Sequence, residues 1–189
     1  MQPVLLIDNF DSFTFNVFHG LVDAGVAVLV RRCDELDVAA VAALEPSMIV
    51  LSPGPGKPED ARLCLEVTET FAGRVPLFGI CLGMQVLAIA LGGAVARAPE
   101  PVHGKVSRVH HDGRGLFSGL PNPFSAGRYH SLCVTRVPAC LEVAAHTEEG
   151  VVMALRHPGM TLAGVQFHPD SFLTECGREM LQHAAHGHF

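Results

Sequence analysis

The sequence predicts an α/β fold with a doubly wound, mainly parallel open sheet, flanking helices and a β-rich C-terminal half. Short apolar runs alternate with helical patterns through the N-terminal half, which is typical of βα repeats. The run Met48–Leu51 is apolar at every position, as expected for a strand buried on both faces of a parallel sheet. From Ala94 onward the apolar runs become short and β-like, and helical patterns are missing between them.

The N-terminal half divides into four predicted βα units. Residues 4–7 form the first strand, and Asp11 or Ser12 is placed to cap a helix that runs through Leu21 and stops at Gly25. The remaining units are a strand at 26–30 and a helix at 37–44, a strand at 48–51 and a helix at 61–71, and a strand at 76–80 and a helix at 82–91.

The C-terminal half is predicted to be mainly strands. Short β-like runs surround Val106 and cover 133–135, 141–143, 151–153 and 162–167, and a final helix is expected at 174–183. With 189 residues and 49% hydrophobic composition, the chain is expected to form one domain, residues 1–189, with a sizeable core.

Composition and charge exclude several classes of protein. The net charge of −6 and the pI near 6.0 argue against a nucleic-acid binder. No apolar stretch is long enough to cross a bilayer, and the N-terminus lacks the features of a secretory signal. The six cysteines have no CxxC spacing, which disfavours both a disulfide framework and a zinc site. We therefore expect a cytoplasmic protein with no metal and no cofactor.

The most informative segment is Gly79-Ile80-Cys81-Leu82-Gly83, in which an apolar run leads into a cysteine flanked by glycines. This pattern is typical of a nucleophile on a sharp strand-to-helix turn, where larger side chains collide with the adjacent strand and helix. Cys81 would then face the positive end of the following helix, which favours thiolate over thiol. On this segment alone, a buried structural cysteine is an equally good interpretation.

A cysteine nucleophile needs a base, and His168 is the best candidate among the eleven histidines. It ends the predicted strand 162–167 and precedes a proline, and Asp170 follows two residues later. Cys81, His168 and Asp170 therefore supply a nucleophile, a base and a carboxylate that orients the base. A histidine satisfied in a turn is the alternative for His168. For the others we expect surface or loop roles, and for the histidines at 183, 186 and 188 a frayed tail rather than a metal site.

The developing oxyanion needs N–H donors. The amide of Leu82, directly after the nucleophile, is one such donor by the geometry of the turn. The loop at 52–58 (SPGPGKP) follows a predicted strand, and its glycines leave backbone N–H groups accessible. It lacks the pattern of a nucleotide-binding P-loop because Leu51 and Pro58 occupy the positions that need Gly and Ser or Thr. A rigid surface turn is the alternative interpretation.

Together these segments resemble the class I, or triad-type, glutamine amidotransferases. Residues 79–85 (GICLGMQ) are similar to the nucleophile segment of that family, and 166–169 (QFHP) to its base segment. Four further segments resemble the glutaminase subunits of the chorismate-aminating enzymes, anthranilate synthase and aminodeoxychorismate synthase: 8–14 (DNFDSFT), 52–56 (SPGPG), 103–105 (HGK) and 128–132 (RYHSL).

This resemblance implies that L-glutamine is the substrate and that Gly56 and Leu82 face its amide oxygen. It further implies that the substrate is held by Gly54, Pro55, Gly56, Gln85, Ser131 and Leu132. Two positions depart from the family pattern: Asp170 stands where the family usually has Glu, and Met84 stands where the chorismate group commonly has His. The shorter Asp170 predicts a hydrogen bond to His168 that is longer, mediated by water or restored by backbone movement.

The resemblance also implies a partner, the larger chorismate-binding synthase subunit, because the predicted sheet and triad leave no room for a site that uses ammonia. Three alternatives stay open. Met84 is also consistent with a glutaminase subunit for guanylate synthesis. The turn around Cys81 also suits a cysteine hydrolase of a related α/β type. The shortened acid is also consistent with a non-catalytic binding module.

Overall fold

The structure, a computed structural model, describes residues 2–189. Within that range it contains nine strands and five helices, with short 3-10 turns at Pro58–Asp60 and Gly115–Phe117. In chain order the elements are β1 (Val4–Asp8), α1 (Thr14–Asp23), β2 (Val28–Arg32), α2 (Val38–Ala43), β3 (Met48–Leu51), α3 (Arg62–Phe71), β4 (Leu77–Ile80), α4 (Leu82–Ala90), β5 (Ala94–His111), β6 (Phe124–Arg136), β7 (Glu142–His146), β8 (Val152–Arg156), β9 (Leu162–Val165) and α5 (Gly177–Ala185).

The strands form one open sheet in the order β2-β1-β3-β4-β9-β8-β7-β5-β6. Strands β2, β1, β3, β4 and β9 pair in parallel, and β8, β7, β5 and β6 continue the sheet with antiparallel pairs. The predicted α/β class and β-rich C-terminal half are thus confirmed, and the parallel part is the N-terminal repeat together with β9.

Helices cover both faces of the parallel strands, because alternate residues of each strand point to opposite sides. On one face Leu6, Val50 and Phe78 pack with apolar residues of α1 and α5. On the other face Ile7 and Leu51 pack with α2, α3 and α4. Because these strands are buried on both faces, their sequences are continuous apolar runs.

The position of β9 decides where the active-site residues meet. Although β9 comes late in the chain, it pairs with β4, with Gly164 opposite Gly79 and Val165 opposite Ile80. The amide of Cys81 then donates to the Val165 carbonyl at 2.8 Å. The segments that follow β4 and β9 therefore leave the same edge of the sheet side by side, as carboxyl ends of parallel strands do.

Strand β9 is shorter than the predicted 162–167. Beyond Val165 the chain turns away from β4, and its amides find other partners: Gln166 donates to the Met153 carbonyl at 2.8 Å and His168 to the Gly127 carbonyl at 3.1 Å. His168 thus lies in a loop that is anchored by two other strands.

Two predicted helix starts are wrong. Neither Asp11 nor Ser12 caps α1, which begins after Phe13 without a side-chain cap, because Asp11 instead accepts the Phe13 amide in a turn at 2.7 Å. Helix α5 begins at Gly177 rather than 174, because the Thr174 hydroxyl donates to the His168 carbonyl at 2.6 Å and holds that loop.

Candidate active site

Cys81 lies on a sharp turn between β4 and α4, in a backbone conformation (φ 53°, ψ −103°) that non-glycine residues rarely adopt. The glycines at 79 and 83 make the turn sterically feasible. A Cβ at Gly79 would lie 2.5 Å from the Gly83 carbonyl carbon, and a Cβ at Gly83 would overlap the Leu51 carbonyl oxygen. The structure therefore confirms the prediction that larger side chains at positions 79 and 83 would collide with adjacent segments.

The loop after β3 brings Gly54, Pro55 and Gly56 to the start of α4. A Cβ at Gly54 would lie 2.6 Å from Asn9 Cβ, so only glycine allows this close approach. Gly56 has open space around it, but its φ of +88° favours glycine. Residues 54–56 of this loop form one wall of the pocket beside Cys81, and residues 55–57 are exposed at the surface.

A buried hydrogen-bond network ties this loop to β1 and α3. The Asn9 amide N–H donates to Ser52 Oγ at 2.9 Å, and Asn9 Nδ2 donates to the Ser52 carbonyl at 3.1 Å. Cys64 Sγ donates to Asn9 Oδ1 at 3.1 Å. Burial raises the pKa of Cys64 to about 12, so this thiol stays protonated and keeps its donor. We call these three residues the Asn9 tether.

His168 is buried against the rings of Phe13 and Tyr129, whose centroids lie 5.7 and 5.0 Å from its own. Burial by itself lowers the pKa of His168, but the neighbouring Asp170 carboxylate and Cys81 sulfur outweigh burial and raise the pKa to about 10. Tyr129 packs on His168 and also shares a hydrogen bond with the Ser171 hydroxyl at 3.1 Å, so it combines the packing role and the site role that the sequence left open.

Asp170 faces His168 at a distance longer than a hydrogen bond. Its Oδ1 lies 3.5 Å from His168 Nδ1, and neither carboxylate oxygen has a hydrogen-bond partner within residues 2–189. The side chain is fully buried, so the carboxylate interacts with the imidazole mainly through charge. Of the three arrangements expected for an acid one methylene shorter than Glu, the structure shows the longer contact.

Strand β6 supplies the opposite wall. Ser131 Oγ is paired with His103 Nε2 of β5 at 2.8 Å, and His130 lies behind it. Burial, aided by the Arg128 cation, lowers the pKa of His130 to about 4, which keeps the ring neutral. Because Arg128 Nε donates to His130 Nε2 at 3.0 Å, the ring proton is on Nδ1 and is donated to the Leu132 carbonyl at 2.8 Å.

These walls enclose a pocket of about 180 Å³ above Cys81. Every residue predicted for the oxyanion or the substrate lines it, whereas His168 and Asp170 are not among its lining residues. The expectation of a surface or loop role holds for His103, which is exposed, and is wrong for His130, which is buried in β6. The lining residues are Gly54, Pro55, Gly56, Cys81, Leu82, Gln85, His103, Tyr129, His130, Ser131 and Leu132.

Two buried glutamines connect this pocket to the nucleophile. Gln85 Nε2 donates to the Leu132 carbonyl at 3.1 Å and to Gln166 Oε1 at 3.0 Å, and Gln166 Nε2 donates to Cys81 Sγ at 3.6 Å. In the sequence, Gln166 belongs to the segment resembling the family's base segment, and no role was predicted for it. Its position two residues before His168 is the feature of the sequence that points to it.

Within residues 2–189, no three or more His, Cys, Asp or Glu side chains are arranged to hold a metal ion, and no helix is long and apolar enough to cross a membrane. The C-terminal tail is packed, so the expectation of fraying is wrong. His183 Nδ1 donates to the Leu116 carbonyl at 2.9 Å, and the Phe189 ring stacks on Phe78 with centroids 5.9 Å apart.

Comparisons with known proteins show relatives that match almost the whole of this chain. Anthranilate synthase component 2 of Azospirillum brasilense is 51% identical over 182 residues, which is 95% of this chain and 93% of the relative. Aminodeoxychorismate synthase component 2 of Escherichia coli (strain K12) is 47% identical over 185 residues, which is 97% and 99% of the two chains.

A solved structure shares the fold. It is a Thermoplasma acidophilum protein described as a GMP synthase subunit, with a TM-score of 0.87, 22% identity and coverage of 99% of this chain and 94% of that chain. The family model for class-I glutamine amidotransferases matches residues 5–187, which hold the cysteine turn, the glycine loop and the histidine loop. This chain therefore belongs to the class-I glutamine amidotransferase family.

Proposed function

We propose that this protein is the glutaminase subunit of a chorismate-aminating synthase, of the anthranilate or aminodeoxychorismate type. It would hydrolyse L-glutamine and deliver ammonia to a larger synthase subunit. The observation that carries this proposal is the similarity to component 2 of both synthases over almost the whole of each chain. We also infer a single amidotransferase domain over residues 1–189, supported by helices that cover both faces of one continuous sheet.

The first step is attack on the substrate. The Cys81 thiolate adds to the side-chain amide carbon of glutamine, and a C–S bond forms while the carbonyl electrons move to oxygen. His168, charged because its pKa is about 10, donates a proton to the departing ammonia. The C–N bond then breaks, and a glutamyl thioester stays on Cys81.

The oxyanion of that step needs fixed donors. We propose the amide N–H groups of Leu82, at the start of α4, and of Gly56, in the loop that the Asn9 tether holds. One donor of this kind contributes roughly 3 kcal/mol to the transition state, so displacement of the loop is expected to lower the rate about a hundredfold.

The second step is hydrolysis. With ammonia gone, neutral His168 accepts a proton from water, and the hydroxide adds to the thioester carbon. The intermediate expels the Cys81 thiolate and leaves glutamate. Asp170 would hold the imidazolium through charge, since its contact with Nδ1 is 3.5 Å.

The polar contacts of Gln85 indicate how the substrate is oriented. Its side-chain NH₂ group donates one hydrogen bond to the Leu132 carbonyl and one to Gln166 Oε1, so only its side-chain oxygen is free to accept from a ligand. An oxygen acceptor suits the α-ammonium group of glutamine. We propose that Ser131 and the Gly54-Pro55-Gly56 segment complete the contacts.

A partner would use the surface beside His168. Phe172, two residues after Asp170, is 92% exposed, and Phe15, two residues after Phe13, is 60% exposed. Exposed aromatic residues next to a catalytic base are suited to burial under a second chain. We propose that the larger synthase subunit covers them and receives the ammonia.

The guanylate alternative rested on Met84. This residue is fully buried in the core, and a side chain at Gly164 would lie within 3 Å of it. Met84 is thus a packing residue and does not favour a guanylate-forming partner over a chorismate-binding one.

The test measures glutamate release with and without the chorismate-binding synthase chain of the same organism. Cys81→Ser is expected to abolish glutaminase activity, whereas Cys140→Ser, at an exposed position, should retain it. A high glutaminase rate alone that does not change on mixing would contradict the partner. Turnover of peptides or esters without glutaminase activity would favour the cysteine hydrolase, and no reaction of Cys81 with a glutamine-like chloroketone would favour a binding module.

A further inference from the structure

A chain of buried hydrogen bonds ends on the sulfur of Cys81. It starts at the Leu132 carbonyl, passes through the side-chain amides of Gln85 and Gln166, and reaches Sγ at 3.6 Å. Gln85 and Gln166 are 3% and 0% exposed, so water does not compete for these contacts.

The Leu132 carbonyl sets the direction of every bond in this chain. A carbonyl oxygen only accepts, so Gln85 must turn its NH₂ group toward Leu132 and, at the same time, toward Gln166. Gln166 must then present its oxygen to Gln85 and its own NH₂ group to Cys81. The donor aimed at the sulfur is therefore fixed by an acceptor at the far end of the chain of bonds.

We propose that Gln166 stabilises the thiolate of Cys81 by donating its side-chain N–H to the sulfur, as a second donor beside His168. The proposal rests on the proposed function, in which Cys81 is the nucleophile. An ionised sulfur accepts a hydrogen bond more strongly than a thiol does, so the bond favours the charged form. It also holds Sγ from the side of β9, while the backbone of Cys81 is held by the turn.

The bond acts at two points of the reaction. Before attack, it stabilises the free thiolate. A thioester sulfur is a poor acceptor, so the contribution disappears when the substrate is attached and returns when the C–S bond breaks and its electron pair goes to sulfur. Gln166 therefore assists the expulsion of Cys81 during hydrolysis of the thioester.

Several other ionisable groups face Cys81 and must stay unchanged in a test. His168, with Asp170 and Asp11 near it, approaches from the loops after β9 and β1. His103, Tyr129 and His130 face the sulfur across the pocket from β5 and β6. A substitution at residue 166 alters none of these groups.

The experiment measures alkylation of Cys81 by iodoacetamide as a function of pH, without glutamine. Mass spectrometry follows the peptide that contains Cys81, and exposed Cys140 is the internal reference in each sample. Gln166→Met removes the donor at similar length and adds no charge, so it is the deciding variant. Gln166→Glu keeps an acceptor for Gln85 but replaces the donor with a carboxylate, whose charge also opposes the thiolate. Gln182→Met, on α5, is the matched control.

We expect both Gln166 variants to raise the pH at which Cys81 alkylation is half-maximal by about one unit or more, with Cys140 unchanged. At a pH below that midpoint, the alkylation rate should fall about tenfold. The proposal is overturned if folded Gln166→Met keeps the wild-type midpoint, or if Gln182→Met shifts it equally. Failure of the proposed function is a separate result, since it would appear as glutaminase activity that survives Cys81→Ser.

Discussion

Replacement of Cys81 by glycine should make the protein more stable than replacement by alanine. Both changes remove the thiol, and both are expected to abolish glutaminase activity. They differ in the backbone: alanine keeps a side chain at φ 53°, ψ −103°, whereas glycine adopts this conformation without a steric penalty.

The size of the difference follows from two opposing effects. A non-glycine residue in so sparsely populated a conformation costs about 1 to 3 kcal/mol. Glycine loses about 0.5 to 1 kcal/mol relative to alanine through the greater freedom of the unfolded chain. With strain near the middle of its range, the free energy of unfolding of Cys81→Gly should exceed that of Cys81→Ala by about 1 kcal/mol. For a chain of this size, the melting temperature should differ by about 2 to 4 °C.

Urea denaturation and calorimetry of the two variants give this difference directly. Ala42→Gly in α2 is the matched control, because Ala42 is exposed in a regular helix. There glycine should lower the free energy of unfolding by about 1 kcal/mol, so the sign is opposite at the two positions. If Cys81→Gly is no more stable than Cys81→Ala, the strain assigned to this turn is wrong.

Three further predictions concern the surroundings of the turn. The pKa of His168 is raised from 6.5 to about 10, so charged His168 contributes fully to the free energy of unfolding below pH 6.5, and this contribution is lost as pH rises through about 10. In Asp170→Asn, the carboxylate that helps to raise this pKa is gone, so urea denaturation should show the loss of stability at a lower pH. Cys64→Val breaks the Asn9 tether and should lower kcat on the order of tenfold through the oxyanion loop, whereas Cys64→Ser keeps a donor and should restore most of kcat. Ser131→Ala should raise KM for glutamine about tenfold with little change in kcat.

Each of these has a result that would contradict it. Equal pH profiles of stability for wild type and Asp170→Asn would mean that the carboxylate does not hold the imidazolium. If Cys64→Val and Cys64→Ser have the same kcat, the thiol is not a link in the tether. A fall in kcat at constant KM for Ser131→Ala would assign Ser131 to the chemical step instead of substrate binding.

The sequence predicted those parts of the fold and site that depend on local sterics. The turn at Cys81 is recognisable because Gly79 and Gly83 are required by contacts with segments next to them in sequence or in the sheet. The alternation of strands and helices up to α4 is likewise local, and the predicted boundaries differ from the structure by two residues or fewer at most ends.

The remaining features depend on pairings between distant segments. The pairing of β9 with β4 cannot be predicted from the sequence of either strand. This pairing brings Gln166 to Cys81. His103 and His130 reach the pocket because β5 and β6 form a long hairpin with register shifts, which no short motif encodes. Asp11 resembles a helix cap, but its side chain satisfies a nearer amide instead.

The late arrival of β9 has a consequence for how the chain folds during synthesis. Until residues 162–165 leave the ribosome, β4 is an edge strand, and its amides and carbonyls lack the partners that β9 provides. The cysteine turn is therefore completed only after residues 162–165 have been synthesised, and until then nascent chains expose an apolar strand edge that can pair with other molecules. Chains truncated before β9 should consequently aggregate instead of accumulating as partly active enzyme.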